Sequence, residues 1–227
     1  DVRKKNVVIV DSVRTGLAKS FRGTFNMTRG DDMISHLIDE MLDRNPNLQA
    51  DTVEDVIMGC AQQQGTQALN IGRLSGMAAG LPDSVPGMTI DRQCSSGLMA
   101  IATGSKQIIT DNMDVVVAGG IESISLVQTA DFRLDSDPLV LDMQQHAYMP
   151  MIETADHVAE KYNVSREAQD EYSLESQKRT AAGQESGKFV DEIIKTTTTK
   201  LVKNKETGEI TEESVELSKD EGNRPET

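Results

Sequence analysis

The stretch that decides the fold runs from Gly87 to Thr110 and reads GMTIDRQCSSGLMAIATGSKQIIT. Its early residues, Met88–Ile90, suit an extended strand, and the Ser-Ser-Gly after Cys94 suits a turn or a first helical turn. Apolar residues then recur at helical spacing, at Leu98, Ile101, Ala102, Ile108 and Ile109. The helix carries no charge before Lys106, which favours a buried position. The sequence therefore predicts Cys94 in a tight turn at the N-terminus of a buried helix.

This position has a chemical consequence for Cys94. A helix N-terminus carries partial positive charge and free N–H groups, so it favours an anion. The thiolate is the nucleophilic form of cysteine, and a cysteine at such a place suits acyl transfer. The alternative is an inert core cysteine, because free cysteine is among the most buried residue types. The residues alone leave both interpretations open.

Composition and charge limit the class of protein. The chain has 227 residues, a formal net charge of -14 and two cysteines, Cys60 and Cys94. The negative charge disfavours nucleic acid or an anionic membrane as a partner, and two cysteines give no disulfide framework. No apolar run approaches the roughly 20 residues of a membrane span, and the charged start Asp1–Lys5 lacks an apolar signal region. We therefore expect a soluble cytoplasmic protein with free thiols.

The first half of the chain alternates strand and helix patterns. Three β-branched or apolar runs predict buried strands, at Val7–Val10, Val53–Gly59 and Val115–Ala118. Between them lie two amphipathic helices, one carrying the stripe that includes Ile34 and Ile38 and the other starting at Asn70. This order predicts an α/β fold with a mainly parallel sheet covered by helices on both faces.

The pattern changes after Leu126. One helix is predicted to begin at Met151 or Glu153, with Val158 and Tyr162 on its inner face, and another at Ser165, which suits an N-cap. Strands are predicted further on, the last two joined by a turn, at Phe189–Ile194, Thr196–Val202 and Ile210–Leu217. The second half therefore reads as a separate α+β region.

Two other reactive side chains are given structural roles. Cys60 closes the second predicted strand, and a redox or acid–base role for it is less well supported than that of a core thiol. His36 falls on the first helix, where a solvent-facing or structural role is favoured over a catalytic one.

Three segments carry a resemblance to a known family, the thiolases. The segment DRQCSSGL around Cys94 resembles the thiolase acylation motif N-x-x-C-x-S-G, with Asp91 where asparagine is usual. The opening VVIVDSVRTGLAKSFRGTF, residues 7–25, resembles the family's first strand and Arg-Thr loop. The segment GGIESIS, residues 119–125, resembles the family's G-G-x-E-S-M-S turn. The resemblance covers essentially the whole chain.

The resemblance implies a fold and a division into domains. Residues 1–125 are expected to form a thiolase N-terminal nucleophile lobe built on a five-stranded mixed sheet. Residues 126–227 are expected to form an incomplete loop domain that contacts coenzyme A, with the C-terminal thiolase domain absent from this chain. In that domain the resemblance places Met151 in the acyl pocket and Arg224 against coenzyme A, the alternative for Arg224 being a solvated surface charge. Pro150 stands where the family has a histidine, which suggests a different acyl pocket.

The resemblance also implies an activity. It is acyl transfer: thiolytic cleavage of 3-ketoacyl-CoA to acyl-CoA and acetyl-CoA, or the reverse condensation, through a thioester on the catalytic Cys94. Coenzyme A would be a substrate or product, with no cofactor and no metal, and the full-length protein would be a homodimer or homotetramer of fatty-acid β-oxidation.

Other functions stay open at this point. The family's catalytic histidine lies in a G-H-P segment and its second cysteine in C-x-G, and neither segment occurs in these 227 residues. We therefore expect the chain alone to be inactive in turnover. The alternatives are a ketoacyl-synthase-like condensing enzyme, loaded from acyl carrier protein, and a non-catalytic acyl-CoA-binding or assembly module.

Overall fold

The structure is a computed structural model that describes residues 6–226, so the segment Asp1–Lys5 discussed above lies outside it. The described chain forms two compact units. The first runs up to Ala130 and takes in Phe189–Gly222, and the second comprises Asp131–Lys188 and the segment from Asn223. These units differ from the predicted division at residues 125 and 126, because the chain returns to the first unit after residue 188.

The first unit alternates helices and strands. In chain order it contains β1 (Arg14–Thr15), α1 (Gly30–Arg44), β2 (Asp55–Gly59), α2 (Ile71–Ala78), β3 (Gly87–Ile90), α3 (Ser96–Thr110), β4 (Val116–Gly120), α4 (Ile124–Val127), β5 (Ile193–Ile194), β6 (Thr196–Lys203) and β7 (Ile210–Leu217). Short 3-10 turns occur at Ala50–Thr52 and Gly65–Gln67.

β2 is the centre of a three-stranded parallel sheet in the order β3–β2–β4. Val56 lies opposite Gly87 of β3 and Val117 of β4. Every residue of β2 is buried, as two helical layers over a parallel sheet require. The predicted α/β fold with a mainly parallel sheet is confirmed, although the described residues supply three strands to this sheet where the resemblance implied five.

Helices cover both faces of the sheet. On one face, α1, α2 and the loops beside them enclose a buried cluster made of Ile34, Ile38, Val53, Val56, Met58, Leu81 and Val85. On the other face lies α3, whose Gly104 approaches Val116 and Ala118 of β4 so closely that an added Cβ would lie 3.0 Å from a Val116 methyl carbon. Since successive strand residues point to opposite faces, Val116 and Val117 contact different helical layers.

The predicted buried strand at Val7–Val10 is wrong for this chain. Val8, Ile9 and Val10 are 70%, 76% and 80% exposed, and the run belongs to no strand among residues 6–226. A β-branched run becomes a strand only when a neighbour supplies backbone hydrogen bonds, and within the described chain β4 pairs only with β2. The run instead lines one side of a groove of about 630 Å³ whose other side is β4.

The returning segment Phe189–Gly222 forms a hairpin. β6 and β7 pair antiparallel from Thr196 opposite Leu217 to Lys203 opposite Ile210. In the turn, the side chain of Asn204 accepts hydrogen bonds from two backbone N–H groups, and Gly208 has a φ of 74° that favours glycine. The predicted hairpin is confirmed, whereas β5 is confined to Ile193–Ile194.

Within the described residues, the regular elements of the second unit are all helices, joined by turns and irregular segments. It contains α5 (Pro138–Met143), α6 (Met151–Tyr162) and α7 (Arg166–Glu185). Ser165 caps α7 as predicted, because its side chain accepts the Ala168 N–H at 3.2 Å. The predicted inner face of α6 is not buried, since Val158 and Tyr162 are 44% and 66% exposed. Periodicity identified the residues that share a face but not whether another element covers them.

Candidate active site

Cys94 lies in the turn between β3 and α3, as predicted. Its side chain is exposed, one residue before Ser95, the N-cap position of α3. The prediction that α3 is buried is only partly right, because Ala100 is buried whereas Leu98 is 71% exposed. Cys94 therefore immediately precedes the first turn of α3, and helix N-termini favour anions because their first N–H groups have no intrahelical carbonyl partner.

The turn is held by its own side chains. Asp91 accepts the Gln93 N–H at 2.8 Å, and Gln93 takes a left-handed φ of 50°. The Ser96 hydroxyl accepts the Arg92 N–H at 2.8 Å and donates to the Gln93 carbonyl at 2.6 Å. Ser95 occupies the N-cap position without capping the helix, since its hydroxyl donates to the Arg92 carbonyl. These bonds fix a compact turn that projects Cys94 outward.

Three glycines let α3 sit directly on the sheet. A Cβ on Gly59 would lie 2.2 Å from the carbonyl carbon of Ser96 and 2.4 Å from the Gly97 nitrogen. A Cβ on Gly120 would lie 3.2 Å from the Gly97 Cα. The first turn of α3 therefore rests on the carboxyl ends of β2 and β4, and this contact sets the height of Cys94 above the sheet.

Cys94 opens onto a cavity of about 740 Å³ in the first unit. The cavity is lined by Cys94 and the start of α3, by the loop Val13–Ser20 and by the turn Gly119–Ser125. The three segments that carried the family resemblance thus meet at one site. This convergence is the geometry expected of a nucleophile with a substrate pocket.

The loop from Val13 is held by an ion pair. The Arg14 guanidinium donates to both carboxylate oxygens of Asp220, at 2.6 and 2.9 Å, and to Glu192 at 2.7 Å. Hydrogen bonding from Arg14 lowers the pKa of the Asp220 carboxyl. Asp220 also accepts the Leu17 N–H at 2.8 Å, and Ser125 accepts the Phe21 N–H at 2.8 Å. The hairpin segment and the Gly119–Ser125 turn therefore shape one wall of the Cys94 cavity.

Glu221 extends this anchor along the same loop. Its carboxylate accepts the N–H groups of Lys19 and Thr24 at 2.9 and 3.0 Å and the Thr24 hydroxyl at 2.5 Å. Partial burial by itself would raise the pKa of Glu221, but the hydrogen bonds from Thr24 and Lys19 outweigh it and lower the pKa. Both carboxylates are thus held in the ionised form that the loop requires.

Cys60 is a different kind of thiol. It is 1% exposed, and burial together with the nearby Glu122 carboxylate raises the pKa of its thiol to about 12. The thiol is therefore protonated at neutral pH and is a poor nucleophile. This environment fits the structural role that we favour for Cys60.

Met151 and Arg224 both belong to the second unit, whereas Cys94 belongs to the first. Met151 is the first residue of α6 and is 76% exposed. Arg224 is exposed, and its backbone N–H donates to the Gln177 side chain at 2.8 Å. The predicted roles of Met151 and Arg224 stay predictions.

Neither His36 nor a cluster of metal-ligating side chains forms a second functional site within the described residues. His36 places Nε2 3.1 Å from the Lys195 carbonyl oxygen, a contact that suits its predicted structural role. Within residues 6–226, no three His, Cys, Asp or Glu side chains are grouped so as to hold a metal ion. Over the same residues, every helix is too short or too polar to cross a membrane.

The fold and the site define a layered α/β protein that presents a thiol at the start of a helix beside a cavity of about 740 Å³. The sequence model described as "Thiolase, N-terminal domain" matches residues 7–226. The chain belongs to the thiolase family.

Individual relatives agree with that assignment. A beta-ketoadipyl-CoA thiolase of Pseudomonas aeruginosa is 36% identical over 211 residues, which cover 85% of this chain and 52% of the relative. A 3-ketoacyl-CoA thiolase of Bacillus subtilis is 36% identical over 223 residues, covering 98% and 56%. The crystal structure of the Bacillus anthracis acetyl-CoA acetyltransferase superposes with a TM-score of 0.78 at 31% identity, covering 100% of this chain and 57% of that one. The chain spans about half the length of these relatives.

Proposed function

We propose that this chain supplies the nucleophile of a 3-ketoacyl-CoA thiolase. The observation that carries the proposal is the exposed Cys94 thiol at the start of α3, open to a cavity built by the three motif segments. The activities named for the relatives, 3-ketoacyl-CoA thiolase and acetyl-CoA acetyltransferase, support acyl-CoA and coenzyme A as substrates. Coenzyme A acts as substrate and product, and no further cofactor enters the proposal.

The proposed reaction has two steps, transfer of the acyl group to Cys94 and then to coenzyme A. The Cys94 thiolate attacks the keto carbon of 3-ketoacyl-CoA, and the bond breaks between that carbon and the CH₂ that adjoins the thioester carbonyl. The leaving acetyl-CoA carbanion takes up a proton, which balances the one that the Cys94 thiol lost on becoming a thiolate, and the remaining acyl group stays on Cys94 as a thioester. The thiol of coenzyme A then attacks this thioester, which releases acyl-CoA and regenerates Cys94. The reverse sequence is a Claisen condensation.

We further propose binding roles for two residues of the second unit and a cellular role for the full-length protein. Met151 would line the acyl pocket, and Arg224 would contact coenzyme A. The full-length protein would work in fatty-acid β-oxidation as a cytoplasmic homodimer or homotetramer. Exposure of both side chains is compatible with ligand contact, and the relative named 3-ketoacyl-CoA thiolase supports the reaction class.

Acylation of the chain tests the proposal directly. The 227-residue protein is incubated with acetyl-CoA, and its intact mass and peptide map are measured. We expect one acetyl group on Cys94 and none on the buried Cys60, and no acylation of Cys94→Ser. Because G-H-P and C-x-G segments are absent from the sequence, we expect one acyl group per chain and no sustained thiolysis.

Other outcomes separate the alternatives. Loading from acyl carrier protein but not from acetyl-CoA would identify a ketoacyl-synthase-like enzyme. Tight binding of acetyl-CoA without a thioester on Cys94 would identify a binding module. Either result contradicts the thiolase assignment for this site.

A further inference from the structure

A polar network lies beneath the Cys94 turn, at the carboxyl ends of β2 and β4. The Glu122 carboxylate accepts the Ala61 N–H at 3.0 Å and the Gln67 side-chain amide at 2.5 Å. Gln67 is 0% exposed and also donates to the Gln62 carbonyl at 2.9 Å, while its own carbonyl accepts the Ser123 N–H. The network therefore joins the residues that follow β2 to those that follow β4.

Cys60 also belongs to this network. The Gln67 amide lies 3.3 Å from the Cys60 sulfur, and the thiol lies 3.9 Å from Glu122. The Cys60 N–H donates to the Ile90 carbonyl at 2.9 Å, which ties the same point to the end of β3. A buried amide that uses both of its polar ends in this way has one orientation, because any other would leave buried groups unpaired.

The network lies next to the glycines on which the Cys94 turn rests. Gly59 directly precedes Cys60, and Gly120 lies two residues before Glu122. The Ile121 N–H donates to the Gly59 carbonyl at 2.9 Å, so the two strand ends are already bonded to each other at this level. A change in the network is transmitted through backbone contacts of Gly59 and Gly120 to the first turn of α3.

We propose that Gln67 and Glu122 are positioning residues for Cys94: they hold the ends of β2 and β4 at the spacing that fixes the thiol against the first turn of α3. Neither residue needs to touch substrate for this role. Its meaning for catalysis rests on the proposed function of Cys94, but the positioning itself is a property of the chain alone.

The test compares the same substitution at two positions: Gln67, whose network lies at the carboxyl end of β2, and Gln107 of α3, which contacts the other end of β2. Gln67→Met removes the network's central amide without changing charge. Gln107→Met is the matched control, because Gln107 donates to the buried Asp55 at 2.8 Å at the opposite end of β2. Cys94 is alkylated with bromotrifluoroacetone, and both the rate and the ¹⁹F resonance of the label are recorded. Peptide mapping verifies that the buried Cys60 stays unlabelled.

We expect Gln67→Met to slow alkylation of Cys94 about three- to fivefold, since the thiol loses part of the anion stabilisation that a helix N-terminus provides. The ¹⁹F resonance should shift or split, because the label then samples more than one turn geometry. Gln107→Met should leave both the rate and the resonance as in the unmodified sequence, even where it lowers stability equally.

Equal rates and superimposable ¹⁹F spectra for Gln67→Met and the unmodified chain would overturn the proposal. If Gln67→Met does not fold, Glu122→Gln is measured by the same ¹⁹F criterion. The outcome is separable from the proposed function, because the label needs no acyl-CoA. A chain that fails to take acetyl from acetyl-CoA but shows the ¹⁹F change loses the proposed function and keeps the positioning role.

Discussion

Replacing Asp220 by alanine removes the main anchor of the loop over Cys94. The side chain accepts two hydrogen bonds from Arg14, at 2.6 and 2.9 Å, and one from the Leu17 N–H at 2.8 Å. The Arg14 and Asp220 side chains are 33% and 19% exposed, so water screens the pair only in part. We therefore expect Asp220→Ala to lower the free energy of unfolding of the first unit.

The size of the loss follows from these contacts. Hydrogen bonds to charged groups contribute about 1.5–3 kcal/mol, and fully exposed ion pairs about 0–1 kcal/mol. For a half-buried bidentate pair we expect a loss of about 2 kcal/mol. The pKa of Asp220 is lowered in the folded state, so its stabilisation is present above the carboxyl's ordinary pKa and is lost as pH falls through the lowered pKa. The difference between Asp220→Ala and the unmodified chain should therefore shrink in acid.

Urea unfolding followed by circular dichroism, near neutral pH and near pH 2, measures this difference. Asp170→Ala is the control, because its partner Arg166 forms an i,i+4 pair whose side chains are 80% and 63% exposed. Its loss should be at most about 0.5 kcal/mol. The reasoning fails if the two substitutions cost the same, or if the Asp220→Ala difference is as large in acid as at neutral pH.

Three further predictions follow from burial and packing. Iodoacetamide at neutral pH should label Cys94 quantitatively and Cys60 only after unfolding, since Cys60 is 1% exposed and the pKa of its thiol is about 12. Peptide mass mapping that finds Cys60 labelled in the folded protein would contradict this. Gly59→Ala should lower the free energy of unfolding in urea by about 3 kcal/mol, because the added Cβ would lie 2.2 Å from the carbonyl carbon of Ser96. A loss under about 1 kcal/mol would show that α3 does not rest on β2. The groove between Val7–Val10 and β4 exposes apolar side chains, so the chain should bind the dye ANS and associate with rising concentration in sedimentation, and a dye-silent monomer at all concentrations would refute this.

Local patterns were sufficient to predict most of the first unit. The stripe containing Ile34 and Ile38 marks the buried face of α1, and the run Val56–Met58 marks the central strand. The Ser-Ser-Gly after Cys94 placed the turn at the start of α3, because turn and helix-start preferences act over a few residues. These features depend on neighbours in sequence, so sequence reveals them.

The features that depend on distant partners were not predictable. The run Val7–Val10 has the composition of a buried strand, but pairing decides whether it becomes one. Gln67 and Glu122 are 55 residues apart and meet only because β2 and β4 end side by side. Glu122 lies within the motif segment GGIESIS, so a signal existed for it, whereas no local pattern distinguishes Gln67 or Asp220.

The division of the first unit into two stretches of chain has a consequence for its synthesis. Arg14 and Asp220 are separated by 206 positions, and β1 pairs with β5 across a similar distance. A ribosome that adds about 5–20 residues per second makes Arg14 roughly 10 to 40 s before Asp220 exists. During that interval the nascent loop lacks Asp220 and Glu221, so Cys94 leaves the ribosome before the wall of its cavity can form. Because the Arg14–Asp220 ion pair and the β1–β5 pairing join residues far apart in sequence, we expect them to form late and slowly in folding.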